Sequence, residues 1–333
     1  MKIKPFSTTG IGSLPHRSAK DAVRLVLDTF DIPFWPQLPR LSPKEGMIAQ
    51  YAEGMPFLRL DEKGIWVERE GEEALQRFYE GYNESTRLAI SEDHAAGLYE
   101  FFNALRGRHL PIIKGHITGP ITFTLGLNDN SQKPIYYDEE LREIALMLLK
   151  GKARWQIDAL RQYSDNIIIF IDEPIVSALG GTTYMGVHRE EALRLLRELS
   201  MCIEEEGAMP GAHCCGRAEW PLLIESGIRV LSFDSYGFAD TLSIYPQEIN
   251  GFLGSGGYLA WGAVPTTEAV FQETEESLYE RLSSSLRGLS KVVPEELVFE
   301  NIILTPSCGT GSLDISGSIR VFQLLMRLKE EFS

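Results

Sequence analysis

The chain has 333 residues, 44% of them hydrophobic and 24% charged, with 30 glycines, 17 prolines and four cysteines, a balance that excludes a disordered, collagenous or disulfide-scaffold protein. Its 32 basic and 47 acidic side chains leave a net charge of −15, which repels phosphate backbones and anionic lipid surfaces. Neither nucleic acid nor a membrane is therefore an expected partner.

The opening MKIKPFSTTGIGSLPH lacks the apolar stretch of a signal peptide. No window approaches the ~20 apolar residues of a membrane span, so a cytoplasmic location is expected. Four cysteines are too few for a secreted framework, and Cys214 and Cys215 are adjacent, a poor geometry for pairing with each other. Reduced thiols, available for metal or catalysis, are the expectation.

Taken in chain order, short β-branched runs alternate with longer segments of helical period, the pattern of parallel strands joined by helices. Strands are predicted at 6–13, 34–39, 111–118, 166–172, 209–215, 230–234, 259–264 and 301–306. Helices are predicted at 18–28, 72–105, 139–161, 188–206, 267–289 and 313–329, with shorter ones near 45–51 and 218–226. The stretch 57–70, with IWVERE after an Asp-Glu-Lys-Gly turn, reads as a hairpin inserted after the second unit. Eight strand and helix units predict an α/β fold, a (β/α)8 TIM barrel forming one domain over residues 1–333. An open doubly wound sheet would announce a glycine-rich phosphate turn after its first strand, and GIGSLP is not that fingerprint. GFLGSGG at 251–257 precedes a strand and reads as a loop.

Catalytic groups of such barrels stand where strands end. The first strand ends in Gly12 and Ser13, with His16 beyond; the second carries Gln37 and Arg40, and the third His116 and Thr118. The fourth ends in Asp172 and Glu173, the fifth in His213, Cys214 and Cys215, the sixth in Asp234, and the last in Ser307 and Cys308. His213 and Cys215 are two positions apart on an extended segment, so both side chains point the same way and are able to grip one ion. Cys308 offers a third ligand and Asp234 a fourth. An imidazole with two thiolates favours zinc over magnesium or calcium, and three protein ligands leave a position open for substrate. Such an ion activates water or binds a thiol. Two thiolates blunt its acidity toward water, yet a thiol bound there is held as thiolate below its free pKa of about 8.5, which suits a sulfur nucleophile. Cys202 and Cys214 read as packing residues.

The paired acids of IDEP at 171–174 read two ways, as caps and ion-pair partners or as a carboxylate for the ammonium group of an amino-acid substrate. In the second reading, Ser13 and the amides around Gly12 hold the substrate carboxylate. His116 and His16 serve either as assisting groups or as hydrogen-bonded scaffold.

TTGIGSLP, TGPIT at 118–122, IDEP, HCC at 213–215, the acid of LSFDS and PSCG at 306–309 follow one another in the order of a known family. Over nearly its whole length the chain resembles the carboxy-terminal barrel of cobalamin-independent methionine synthase, within the superfamily of uroporphyrinogen decarboxylase and the corrinoid-dependent thiol methyltransferases. The resemblance implies a methyltransferase in which His213, Cys215 and Cys308 bind zinc. Asp234 stands where the family has a glutamate ligand that yields to the homocysteine thiol, and it is named with His116 as catalytic. Ile11, Gly12 and Ser13 match the contacts to the amino acid, Asp172 matches the carboxylate on its ammonium group, and Gln37 is the nearest polar group to the family's acidic segment after the second strand. The family's amino-terminal barrel has no counterpart here, and LAWGAVPT lacks the histidine expected before the proline of the seventh strand. The implied methyl donor is then a methylated corrinoid protein, with homocysteine as substrate and methionine as product. A coenzyme M methyltransferase, a decarboxylase with arginines at the mouth, and a non-catalytic metal or corrinoid binder are the competing expectations.

Overall fold

The computed structural model describes residues 1–61 and 64–332. Its strands are β1 (Ser7–Thr8), β2 (Leu58–Asp61), β3 (Gly64–Val67), β4 (Ile113–Thr118), β5 (Asn128–Asp129), β6 (Ile167–Asp172), β7 (Met209–Cys214), β8 (Val230–Asp234), β9 (Tyr258–Val264) and β10 (Ile302–Pro306). Seven of them form a curled parallel sheet in the order β1, β10, β9, β8, β7, β6, β4. β2 and β3 pair antiparallel as the expected insertion, and β5 adds to β3 in parallel. Two residues of the predicted turn between β2 and β3, 62 and 63, lie outside the described residues.

The sheet has two apolar faces, which is why β4 and β6 are buried at every position. Inside the curl, Ile11, Ile32, Ile168, Phe170, Val230, Tyr258, Ala260 and Ile303 pack on one another. Outside it the helices close a larger core. The longest, Glu139–Arg161, starts where the Asp138 side chain accepts from Leu141 N–H, and it buries Leu141, Ile144, Ala145 and Leu148 on one stripe.

The expected second strand, 34–39, is a correction. The segment touches the sheet only through isolated bridges, Phe34 to Lys114 and Gln37 to Ser13. Its sequence, PFWPQLP, places proline at 33, 36 and 39, and proline has no N–H to give a ladder. The expected first strand shrinks to Ser7–Thr8, and its start is set by Phe6, at φ 57 in a left-handed conformation that cannot continue a strand. The single helix expected over 72–105 is two, Glu73–Gly81 and Ala96–Ala104. Between them Leu88 N–H donates to Gly151 O and Lys152 Nζ donates to Ala89 O, so a loop is moored on the long helix. A helix at Pro120–Gly126 was not expected, and the GFLG part of the expected loop at 251–257 ends a helix, Pro246–Gly254. Among the described residues no helix is long and apolar enough to cross a membrane.

Register fixes what shares a level. Thr118 pairs with Asp172, Asp172 with His213, and His213 with Ser232, so four neighbouring strands carry these side chains in one row.

Candidate metal centre

β7 delivers His213 and, one residue past its end, Cys215; the segment after β10 delivers Cys308. Ligand atoms of these three side chains all lie within 4.8 Å of one another, the only such group of ionisable donors among the described residues. His213 is buried and the two thiols are half-buried. Nδ1 of His213 shares a hydrogen bond of 2.9 Å with the Ser232 hydroxyl. Nε2 is buried and meets no partner among the described residues. With the Nδ1 proton on Ser232, the Nε2 lone pair is left for an ion, the orientation that an outer hydrogen bond gives to a metal-bound histidine.

A hydrogen bond from Cys308 and the neighbouring His213 ring pull the Cys215 thiol down to about 4, while its bond with Cys215 and burial push Cys308 upward. A thiolate facing an orphaned imidazole nitrogen and a second sulfur is a donor set that fits zinc. Cys214, on the opposite face of the strand, is buried and pushed up to about 12 by loss of solvent, and Cys202 is buried on a helix. Both are packing residues, as expected.

Asp234 does not join the cluster. Its Oδ1 accepts from Gly237 N–H at 2.9 Å and caps the short helix Ser235–Phe238. Burial raises its carboxyl above the usual range, and it lies in the field of Cys215 and His213.

Asp172 is fully buried, its Oδ1 without a partner among the described residues, and loss of solvent lifts its carboxyl to about 6. The adjacent Glu173 is the capping half of the pair. It accepts from Ile121 N–H at 2.9 Å and from Thr122 N–H and hydroxyl at 2.8 and 2.7 Å, holding the start of the Pro120–Gly126 helix.

The Ile11–Gly12–Ser13 turn is clamped to both neighbours. Gln37 N–H donates to Gly12 O at 3.0 Å, and Thr310 N–H donates to Ser13 O at 2.8 Å. A Cβ on Gly309, in the Cys308 loop, would meet the Ser13 hydroxyl at 2.1 Å, so a larger residue there would push that hydroxyl out of its place. Arg40 spends its guanidinium on the carbonyls of Gly311 and Ser312 in the same loop. The Gln37 side chain donates to Gln50, and Gln50 donates to His94 O. Gln37 thus acts on the turn through its backbone.

His116 stacks on Trp35 with ring centroids 3.8 Å apart, and a Cβ on Gly12 would come within 3.2 Å of its ring. Both of its ring nitrogens are buried without a partner among the described residues, and burial drives its pKa well below the ordinary value. It is a neutral imidazole beneath the turn. His16 is buried beyond Ser13 and is also lowered by burial, against a smaller opposing pull from Asp21.

Sequence reasoning missed Ser232 and Lys114. The signal for each was strand parity: Ser232 stands two before Asp234, and Lys114 two before His116, so both share the inward face with residues already singled out.

Solved structures resemble the chain, among them one with a TM-score above 0.5. It is a B12-independent methionine synthase from Shewanella sp. W3-18-1 in complex with selenomethionine, 14% identical, matched over 98% of this chain and 97% of that one with a TM-score of 0.58. At that identity the likeness establishes an α/β fold of the TIM-barrel kind and nothing finer. A glycosidase of Streptomyces cattleya in complex with GlcNAc follows at 12% identity, 98% and 80% coverage and a TM-score of 0.49. No family model and no curated protein matches the chain.

Proposed function

We propose that residues 1–333 form a single (β/α)8 barrel, its second strand reduced to segment 34–37, that transfers a methyl group to the thiol of homocysteine and gives methionine. The observation that supports it most is the convergence of His213, Cys215 and Cys308 within 4.8 Å, together with the buried Asp172 carboxylate and the turn amides that meet no partner among the described residues. Zinc held by these three residues would supply Lewis acidity that keeps a bound thiol deprotonated near neutral pH.

The chain's own groups do the rest. Asp172, in register with His213, receives the substrate ammonium; Gly12 and Ser13 face its carboxylate; Ser232 holds the His213 ring. Asp234, in the field of Cys215 and His213, would be the fourth donor open to a held ion until the substrate thiol takes that place. The substrate sulfur, having lost its proton, forms the new S–C bond, and the bond from the methyl carbon to its donor breaks with the electron pair staying on the donor. A methylated corrinoid protein is the proposed donor. A decarboxylase is less well supported because Arg40, its one well-placed arginine, is committed to two backbone carbonyls. A coenzyme M site would leave Asp172 without a cation to bind.

The test is the metal content of purified protein, followed by methyl transfer to homocysteine and to coenzyme M from methylcobalamin and from methylfolate. One zinc per chain and methionine formed from methylcobalamin is the expected result. Protein without metal, or turnover with methylfolate alone, would overturn the ion or the donor respectively.

A further inference from the structure

Lys114 is the second residue of β4 and has no exposure to solvent, among the apolar side chains inside the curl. Its Nζ donates to Ile11 O at 2.7 Å and stands over the rings of Phe170 at 4.5 Å and Phe34 at 5.2 Å. A buried ammonium is costly, and a methionine of similar length would fill the same space without that cost.

The turn above it explains the expense. Three successive carbonyls are occupied by donors from three different elements: Ile11 O by Lys114, Gly12 O by Gln37 N–H and Ser13 O by Thr310 N–H. Among the described residues the backbone N–H groups of Gly12 and Ser13 meet no acceptor. Amides left unpaired on a turn whose carbonyls are held elsewhere are donors available to an anionic ligand. The Thr310 hydroxyl also reaches Ser13 O, at 3.3 Å, and Lys114 is the buried side chain that reaches the turn from the strand beneath it.

We propose that Lys114 is the positioning residue of an amino-acid carboxylate site, holding the Ile11–Gly12–Ser13 turn so that its amides face the substrate carboxylate. The choice of carboxylate as ligand rests on the homocysteine reading above; the hold on the turn does not. Two neighbours agree with it. His116, on the same face two residues on, packs so closely under position 12 that a Cβ there would press on its ring at 3.2 Å. Asp172, the nearest opposing charge to Lys114, is placed for an ammonium, so the pair complements a zwitterion.

The experiment compares wild type with Lys114→Met, and with Lys114→Gln, which keeps a polar donor should methionine impair folding. Calorimetry on the zinc-loaded proteins measures L-homocysteine against 3-aminopropane-1-thiol, the same molecule without its carboxylate, and hydrogen exchange follows the Leu14 and Gln37 amides that bond across the turn. The expected result is a tenfold or greater loss of preference for homocysteine, zinc affinity within twofold, and at least tenfold faster exchange at those amides. Equal weakening of both thiols, or unaltered preference, overturns the carboxylate role. Should wild type show no preference for homocysteine, the substrate reading fails, and exchange alone then judges Lys114: acceleration in the variants upholds the hold on the turn, and unchanged exchange overturns it.

Discussion

At the scale of single residues, the centre depends on orientation more than on the number of donors. His213 is worth more as a ligand with its ring fixed by Ser232, and losing such an outer hydrogen bond commonly weakens metal binding 10- to 100-fold. Ser232→Ala is therefore expected to raise the zinc dissociation constant by about tenfold or more in a competition titration with a chromogenic chelator, with the fold intact. Asp172→Asn keeps the shape and removes the charge. If Asp172 answers the substrate ammonium, the KM for homocysteine rises by about 1.4 kcal/mol worth of binding, tenfold or more, while zinc content stays the same. An unchanged KM would return Asp172 to a structural role. The convergence of His213, Cys215 and Cys308 was legible in the sequence because strand parity and the strand-end rule need only the pattern of strands. Asp234 shows the limit of that rule. Its position was legible, but whether its oxygen turns to an ion or to Gly237 N–H is decided by the short helix that begins at Ser235.

At the scale of elements, the regular pieces were read well where one periodicity dominates. β8 and the Glu139–Arg161 helix fall where their patterns end. The Pro120–Gly126 helix was not legible because PITFTLG is rich in β-branched residues. It forms because Glu173, from the end of β6, satisfies the amides of its first turn. This cap carries its own pH dependence. Loss of solvent raises the Glu173 carboxyl to about 7 in the fold, against an ordinary value of 4.5, despite the three donors that lower it. A carboxyl whose folded pKa is raised contributes stability that is complete below the unfolded pKa and disappears as pH climbs through the folded one. Between pH 5 and 8 the melting temperature of wild type, relative to Glu173→Gln, should therefore fall as pH rises. A gap between the two proteins that is flat over this range would show that Glu173 stays ionised throughout.

At the scale of the whole molecule, the curl of the sheet brings β7 and the segment after β10 together, with β8 and β9 lying between them in the sheet order. The sequence predicted eight strands, and the one that fails to ladder is the one carrying prolines at 33, 36 and 39; its bridges to Lys114 and Ser13 mark where it lies without making it a full member. An ion gripped by His213, Cys215 and Cys308 would tie residues 95 positions apart along the chain, from Cys308 back to His213, and so would stabilise the sheet as a ligand stabilises any folded state that alone binds it. With free zinc about 1,000-fold above its dissociation constant, the gain is about 4 kcal/mol. For a chain of this length the unfolding entropy is about 0.7 kcal/mol per kelvin, so stripping the metal should lower the melting temperature by roughly 6 °C. Calorimetry with and without a chelator checks this, and two variants locate the effect. Cys308→Ala should abolish the zinc-dependent shift, whereas Cys202→Ala, on a helix away from the cluster, should lower both curves by a similar amount and keep the gap between them. A shift that survives the loss of Cys308 would mean that zinc is held elsewhere on the molecule.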